Sequence, residues 1–216
     1  MRTLEDIWPF FGIRLRTPRL ELRLLIEDEM VELVDLAARG IHDPAWMPFG
    51  MPWTDLPPGE FEREALRFHW KGRAAWRPEQ WSLNFGVFAD DSLIGAQDVA
   101  AKDFGVLRTV ETGSWLGRDH QGKGFGKEMR AAVLAFAFEG LGATLAVSGA
   151  WHDNPASQGV SRALGYEEDG WTLMKRRDEA DRHHRFRLSR ERWAANQYCT
   201  VDLVGVDPCL ELLGAG

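Results

Sequence analysis

An α+β fold in three layers of α/β type, with a mixed and mostly antiparallel sheet flanked by helices, is what the sequence predicts. Three observations carry the prediction. Residues 81–89, 93–102 and 110–117 alternate apolar with other side chains, as half-buried strands do. Short turn signals separate them, so consecutive strands can pair antiparallel. Stretches of helical spacing lie before and after this block, which places helices on the faces of a sheet.

Each element follows from local residues. Ile13 and Leu15, then Leu20, Leu22 and Leu24, alternate with other residues around Thr17-Pro18 and read as a short edge segment and a first strand. Asp28 is expected to cap a helix whose Met30, Leu33, Val34 and Ala37 share one face and which ends at Gly40. Residues 41–58 are rich in proline, interleaved with Trp46, Met47, Phe49, Met51 and Trp53. A loop this long and this apolar reads as a functional lid. Phe61, Ala65 and Phe68 restart a helical face. Asp90-Asp91 makes a hairpin turn, and residues 103–108 make the next. Met129, Val133, Phe136 and Ala137 mark a long helix reaching Gly140, and residues 144–149 form a strand. Asn154 is an N-cap and Pro155 suits the first helical position; that helix turns Val160 and Leu164 inward and stops at Gly165. A strand from Tyr166 and a last one through Phe186-Arg187-Leu188 complete the order. Between them, residues 174–185 are dense in charge and read as a solvated hairpin tip. Residues 194–216 carry Val201, Leu203, Val204 and Val206, too apolar for a free tail, and are expected to pack on the domain or across a subunit interface. Residues 1–216 are expected to form one domain with its core at about 13–193.

Gln121-Gly122-Lys123-Gly124-Phe125-Gly126-Lys127 lies where a strand ends and the long helix begins. Glycines at alternate positions let backbone approach a ligand closely. The first helical turn adds orphan N–H groups and the positive end of a helix dipole. Together these suit an anion such as a pyrophosphate, with Lys123 and Lys127 adding charge. A glycine-rich turn with two solvated lysines is the plain alternative.

Composition bounds the partners. A net charge of −7 over 216 residues argues against a nucleic-acid binder and tolerates cationic amines. Cys199 and Cys209 make neither a disulfide framework nor a metal cluster. No stretch approaches membrane-spanning length and the start lacks a long apolar leader, so a cytoplasmic protein is expected, with no membrane partner. Ten tryptophans suit a pocket or an interface as well as a core, and with the apolar tail they point to a homodimer or larger homo-oligomer.

The pattern Gln121-x-x-Gly124-x-Gly126 at a strand-to-helix junction resembles the acyl-CoA pyrophosphate loop of the GNAT N-acyltransferase superfamily, whose usual form is Arg/Gln-x-x-Gly-x-Gly/Ala. Asn154-Pro155-Ala156-Ser157, followed by Ala163-Leu164-Gly165-Tyr166, is similar to the Asn-x-x-Ser…Leu-Gly-Phe signature of the branch that includes ribosomal-protein N-terminal acetyltransferases. Thr17-Pro18-Arg19-Leu20-x-Leu22-Arg23 resembles that branch's entry strand, and Leu188-Ser189-Arg190-Glu191-Arg192-Trp193 its exit. The resemblance covers residues 13–193, and the order of predicted elements is that of a GNAT domain. It is nearest to an actinobacterial group with a His-Asp-Pro…Met-Pro-Phe loop, here residues 42–49, and a Gly-Ser-Trp-Leu-Gly strand, here residues 113–117. Some of that group use succinyl-CoA.

The resemblance implies acetyl-CoA or succinyl-CoA as co-substrate, no metal, and a primary amine as acceptor. Its pyrophosphate would lie on Gln121, Gly122, Lys123, Gly124, Phe125, Gly126 and Lys127. Its pantetheine arm would pair like an added strand with the backbone of Ser114, Trp115, Leu116 and Gly117. Asn154, Ser157 and Ser161 would lie towards the thiol. Glu111 is the candidate base for the attacking amine, since alternation puts it on one face with Gly113, Trp115 and Gly117; a solvated or salt-bridged role is the alternative. Many relatives place a tyrosine seven residues after the equivalent of Asn154. Here Ser161 stands there, so Ser157 becomes the candidate donor to the sulfur, or simply a first-turn serine. A thiol is acidic enough to leave without a dedicated acid. His42, Asp43, Met47 and Trp53, in the proline-tryptophan loop, are candidate acyl or acceptor contacts.

The leading expectation is thus an N-acyltransferase acting by direct attack on acyl-CoA. A non-catalytic acyl-CoA-binding sensor is the alternative from another class. The absence of a Gly-x-Ser-x-Gly elbow argues against a serine hydrolase. A dinucleotide oxidoreductase fails because the glycine spacing and the late position of the loop do not match an opening βαβ unit. His183-His184 has no third ligand at metal-binding spacing, and His152-Asp153 flanks a helix cap.

Overall fold

The computed structural model describes residues 1–216. The chain opens with β1 (Arg14–Arg16), β2 (Glu21–Leu24), α1 (Glu27–Ala38) and α2 (Glu60–Ala74). The central block is β3 (Gln80–Ala89), β4 (Ser92–Lys102), a single helical turn α3 (Phe104–Leu107) and β5 (Thr109–Leu116). Then come α4 (Phe125–Ala135), β6 (Leu145–Trp151), α5 (Pro155–Ala163), β7 (Glu167–Arg176), β8 (Glu179–Ser189), α6 (Arg190–Ala195) and β9 (Asp202–Val204). One sheet of nine strands results, in the order β7-β8-β6-β5-β4-β3-β2-β1-β9. Every pair is antiparallel except β5 with β6.

Two faces follow from the alternation. Leu83, Phe85, Val87, Val99, Val110, Ala146 and Leu188 point to one side, where α4 covers them and joins a core of 38 buried residues. From Met129 to Phe138 the side chains of this helix are almost all buried, as in a helix enclosed on every side. A wider turn at Phe136–Gly140 ends it. The other face carries α1 and α2, which bury Met30, Leu33 and Phe61 over Phe88, Ala96 and Trp115.

Local chemistry accounts for most boundaries. The β3–β4 turn takes Asp90 and Asp91 to φ 48° and 63°, the positive-φ pair of a tight hairpin. Asn154 caps α5, its Oδ1 accepting from Ser157 N at 3.0 Å, with Pro155 in the first turn. The expected cap of α1 is corrected: Ile26 holds that place, and Asp28 lies in the first turn. The helix can start on an apolar residue because Glu29 reaches back and accepts from Ile26 N at 2.9 Å.

The C-terminal segment completes the sheet. β9 pairs with β1, and Val206, Cys209 and Leu213 are buried behind it. Trp81 donates its indole N–H to Leu213 O at 3.0 Å. Burial pushes the Cys209 thiol up to about 12, so it is an apolar packing group. No helix is long and apolar enough to cross a membrane.

Candidate active site

The parallel pairing of β5 and β6 is short. It runs from Thr109 opposite Leu145 to Glu111 opposite Val147 and then stops. β5 continues along β4 to Leu116, and β6 continues along β8 to Trp151, so the two strands diverge into a fork. Backbone groups of residues 112–116 that point away from β4 are left without a strand partner. An extended, amide-bearing chain can pair with them.

On the α4 face, the glycine heptapeptide joins the wide end of the fork to the helix. Gly122 and Gly124 adopt φ of 73° and 86°, which a side chain would strain. Every backbone N–H from Gly122 to Gly126 lacks an internal partner. With the start of α4 behind them, these donors form an anion cradle. Gly126 lets α5 come close: a Cβ there would lie 3.5 Å from Val160. The cradle is braced from below. Glu128, 3% exposed, accepts from Thr17 Oγ1 at 2.7 Å, Arg19 N at 2.9 Å and Arg19 Nε at 2.7 Å. Arg19 also donates to Lys123 O at 3.1 Å and lies over the Phe125 ring. Gln121 holds the other side, donating to Leu116 O and Ile41 O at 2.8 Å. Its side chain is therefore engaged in structure, and Lys123 and Lys127 remain to meet an anion.

On the α1–α2 face, Glu111, Gly113 and Trp115 line the β5 side of the fork, and Val147, Gly149 and Trp151 the β6 side. Asp98, on β4, lies over Gly113; a Cβ at Gly113 would sit 2.6 Å from Asp98 Oδ1. The glycine thus makes room for a carboxylate. Burial, reinforced by the Glu111 charge and opposed by Arg130, raises Asp98 to about 6. Opposite, the His183 imidazole covers Gly149 and meets the Trp151 ring edge-on at 5.0 Å. Its burial, with the neighbouring His184, lowers its pKa. An open groove of about 510 Å³ runs along this face to Glu111, walled by Trp76, Trp81, Ala100 and Val147.

The proline-tryptophan loop spans the wide end of the fork. Arg118 donates to His42 O on the β5 side. On the β6 side Trp151 donates to Phe49 O at 3.2 Å, and Trp46 donates to Asp153 at 2.9 Å. His42 pairs with Thr54 Oγ1 at 2.7 Å and Asp43 O at 2.8 Å, Asp43 accepts from Ala45 N, and Met47 is buried. These three side chains scaffold the loop. Trp53 reaches towards the fork, 6.1 Å from Trp115 and stacked on Phe61.

The charged segment is solvated at its tip, where Lys175 and Asp178 stand exposed, but two of its arginines turn inward. Arg176 keeps only 10% of its side chain exposed and pairs with Asp153 at 3.0 Å and Asp181 at 2.8 Å. It donates to Met47 O at 2.7 Å and lies against the rings of Trp46 and Trp151. Arg177 binds Asp55 at 2.8 Å and Pro44 O at 2.8 Å. Two arginines of the hairpin therefore fasten the lid, which charge density in the sequence could not reveal. On α5, Ser157 is half-buried with no side-chain partner, whereas Ser161 is fully buried with its hydroxyl unpaired.

The chain matches the sequence model of the acetyltransferase (GNAT) domain over residues 19–167 and belongs to that family. Solved structures share its fold. RimJ of Mycobacterium smegmatis, in complex with CoA-disulfide, is 18% identical with a TM-score of 0.66, over 86% of this chain and 95% of that one. RimL, the ribosomal L7/L12 alpha-N-protein acetyltransferase in complex with coenzyme A, is 16% identical with a TM-score of 0.65, over 80% and 95%. A chimera of the spermidine N-acetyltransferase SpeG from Vibrio cholerae and hSSAT is 17% identical with a TM-score of 0.65, over 82% and 98%. At these identities the likeness shows the fold alone.

Proposed function

We propose that this protein is an N-acyltransferase that moves an acetyl or succinyl group from acyl-CoA to a primary amine by direct attack. The observation that carries the reading is the run of unpartnered N–H groups from Gly122 to Gly126, set at the wide end of the β5–β6 fork. It offers a pyrophosphate cradle beside backbone able to pair with a pantetheine arm. Lys123 and Lys127 supply charge to the cradle, Ser114 to Gly117 the pairing edge, and Ser157 a hydroxyl towards the sulfur. The acceptor enters along the groove to Glu111. A lysine side chain, a protein N-terminus or a small amine would suit its apolar walls and its carboxylate.

The chemistry then needs a proton acceptor on that face. Glu111 takes the amine proton directly or through water, with the Asp98 carboxyl beside it. The freed lone pair forms the N–C bond, the C–S bond breaks, and the electron pair leaves on sulfur. We place the enzyme in the cytoplasm as a homodimer or larger assembly, and take residues 1–216 as one domain. Exposed Trp171 and Leu173 on the sheet-edge strand β7 favour self-association.

Thermal shift with CoA, acetyl-CoA, succinyl-CoA and NAD tests the reading. CoA compounds are expected to raise the midpoint and NAD to leave it unchanged. A larger rise with succinyl-CoA would name the donor. A response to NAD alone would sink the assignment. Tight CoA binding with no thiol release across a panel of amines would favour the sensor.

A further inference from the structure

Arg130 is a buried cation with no carboxylate in contact with it, although its charge acts on Asp98 across the sheet. It projects from α4 beneath the fork, is 3% exposed, and forms no ion pair with any carboxylate. Its Nη1 donates to Ser148 Oγ at 3.0 Å and its Nη2 to Ser114 Oγ at 3.3 Å, while Nε has no partner. Ser114 lies on β5 and Ser148 on β6, just beyond the last parallel pair, so one guanidinium bridges the two arms of the fork. Beside it, the buried hydroxyls of Thr112 and Tyr166 make no well-formed hydrogen bond, Tyr166 being turned towards Thr112 and Arg130. A lone buried charge is costly, and so is each unpaired buried hydroxyl. Such a cluster in the middle of a core needs a physical reason.

The serine protons supply one. A hydroxyl that accepts from a guanidinium keeps its own O–H free to donate. Two such donors, polarised by the same cation, stand on opposite strands where the fork opens. We infer that Ser114 and Ser148 form an oxyanion hole for the thioester, with Arg130 as the residue that positions and polarises them. The inference rests on the acyl-CoA reading above. As the amine attacks, the carbonyl π electrons move onto oxygen; the hydroxyls donate to that oxygen and the guanidinium offsets its charge. When the C–S bond breaks, the electrons return to the carbonyl and the thiolate departs. The charge these groups meet at close range would thus develop only while the reaction proceeds, which is the arrangement that lowers a barrier instead of tightening ground-state binding.

The test uses Ser114→Ala, Ser148→Ala and the double variant, each removing one hydroxyl and little else, with Arg130→Lys and Arg130→Met beside them. In the double variant kcat is expected to fall on the order of 10²–10³-fold, the loss usual for a preorganised oxyanion donor. The affinity for free CoA, which has no thioester carbonyl, stays unchanged in thermal shift. Affinity for acetyl-dethia-CoA, whose neutral carbonyl mimics the ground state, changes far less than kcat. Arg130→Lys retains more turnover than Arg130→Met. Wild-type kcat in the double serine variant would overturn the inference while leaving the acyl-CoA reading intact. So would an equal loss of CoA affinity and turnover, which marks a structural role. Loss of succinyl-CoA turnover alone, with acetyl-CoA turnover intact, would assign the cation to an acyl carboxylate and overturn it too. No response of the wild-type protein to any CoA compound would overturn both readings.

Discussion

Asp98 and Glu111 stand as diagonal neighbours on one face of β4 and β5, and burial there alters the proton affinity of Asp98. Glu111 is exposed at the last paired position of the fork, whereas Asp98 is half-buried over Gly113. The folded-state value of Asp98, raised to about 6 from an ordinary 3.8, means the fold binds its proton more tightly than the unfolded chain does. Its contribution to stability is therefore full below pH 3.8 and lost as pH rises through about 6. Asp98→Asn is expected to raise the melting temperature at pH 7 relative to wild type and to have little effect near pH 4. The same variant should abolish the acid limb of the kcat profile near pH 6, while Glu111→Gln lowers kcat and leaves CoA binding in place. An acid limb that survives Asp98→Asn would leave Glu111 as the sole base. Glu111 was readable from strand alternation. Asp98 was not, because its significance comes from the glycine opposite it on another strand.

The lid depends on a contact between elements far apart in the chain. Arg176 reaches from β7 to Asp153, Asp181 and the carbonyl of Met47, and buries its guanidinium between two tryptophans. Removing it would take this partner from Met47 O and from the partly exposed carboxylates of Asp153 and Asp181, and would open a gap between the two tryptophans. Arg176→Met is expected to lower the melting temperature and to expose residues 41–58 to proteolysis, with CoA affinity at the glycine loop preserved. Unchanged protease resistance would mean that the aromatic contacts of Trp53 and Phe61 hold the loop by themselves. The loop's length and apolar content were legible in the sequence, as was the Asn154-Pro155 start of α5. Its fastening was not, since a run of charge gives no sign of which members turn inward.

At the level of the whole molecule, the sheet is open, with β7 and β9 as its two edges. β9 covers one edge by pairing with β1, and β7 leaves Trp171 and Leu173 exposed on the other. The buried Cys209 and Leu213 tie the C-terminal segment to the same core as β3 and α4. Unfolding is expected to follow a single transition whose midpoint rises with protein concentration, as for a cooperative domain that self-associates through an exposed edge. Light scattering at the monomer mass, with no concentration dependence, would remove the oligomer from the proposal.

Residue order alone specified the strands, the helix that follows the glycine loop, the Asn154 cap and the three-layer class. Those features arise from interactions between near neighbours, where periodicity, capping and turn chemistry act. The same local signals placed Glu111 and Ser114 on β5 and the glycine run from Gly122 to Gly126 at the start of α4. Folding in three dimensions added what depends on distant partners. It set Asp98 over Gly113, carried Arg130 under the fork between Ser114 and Ser148, turned Arg176 into the lid and made the tail an edge strand. Each of these is a pairing across tens of residues, in which burial and the register between strands determine a side chain's charge state and its partner. No pattern within a single segment contains that information.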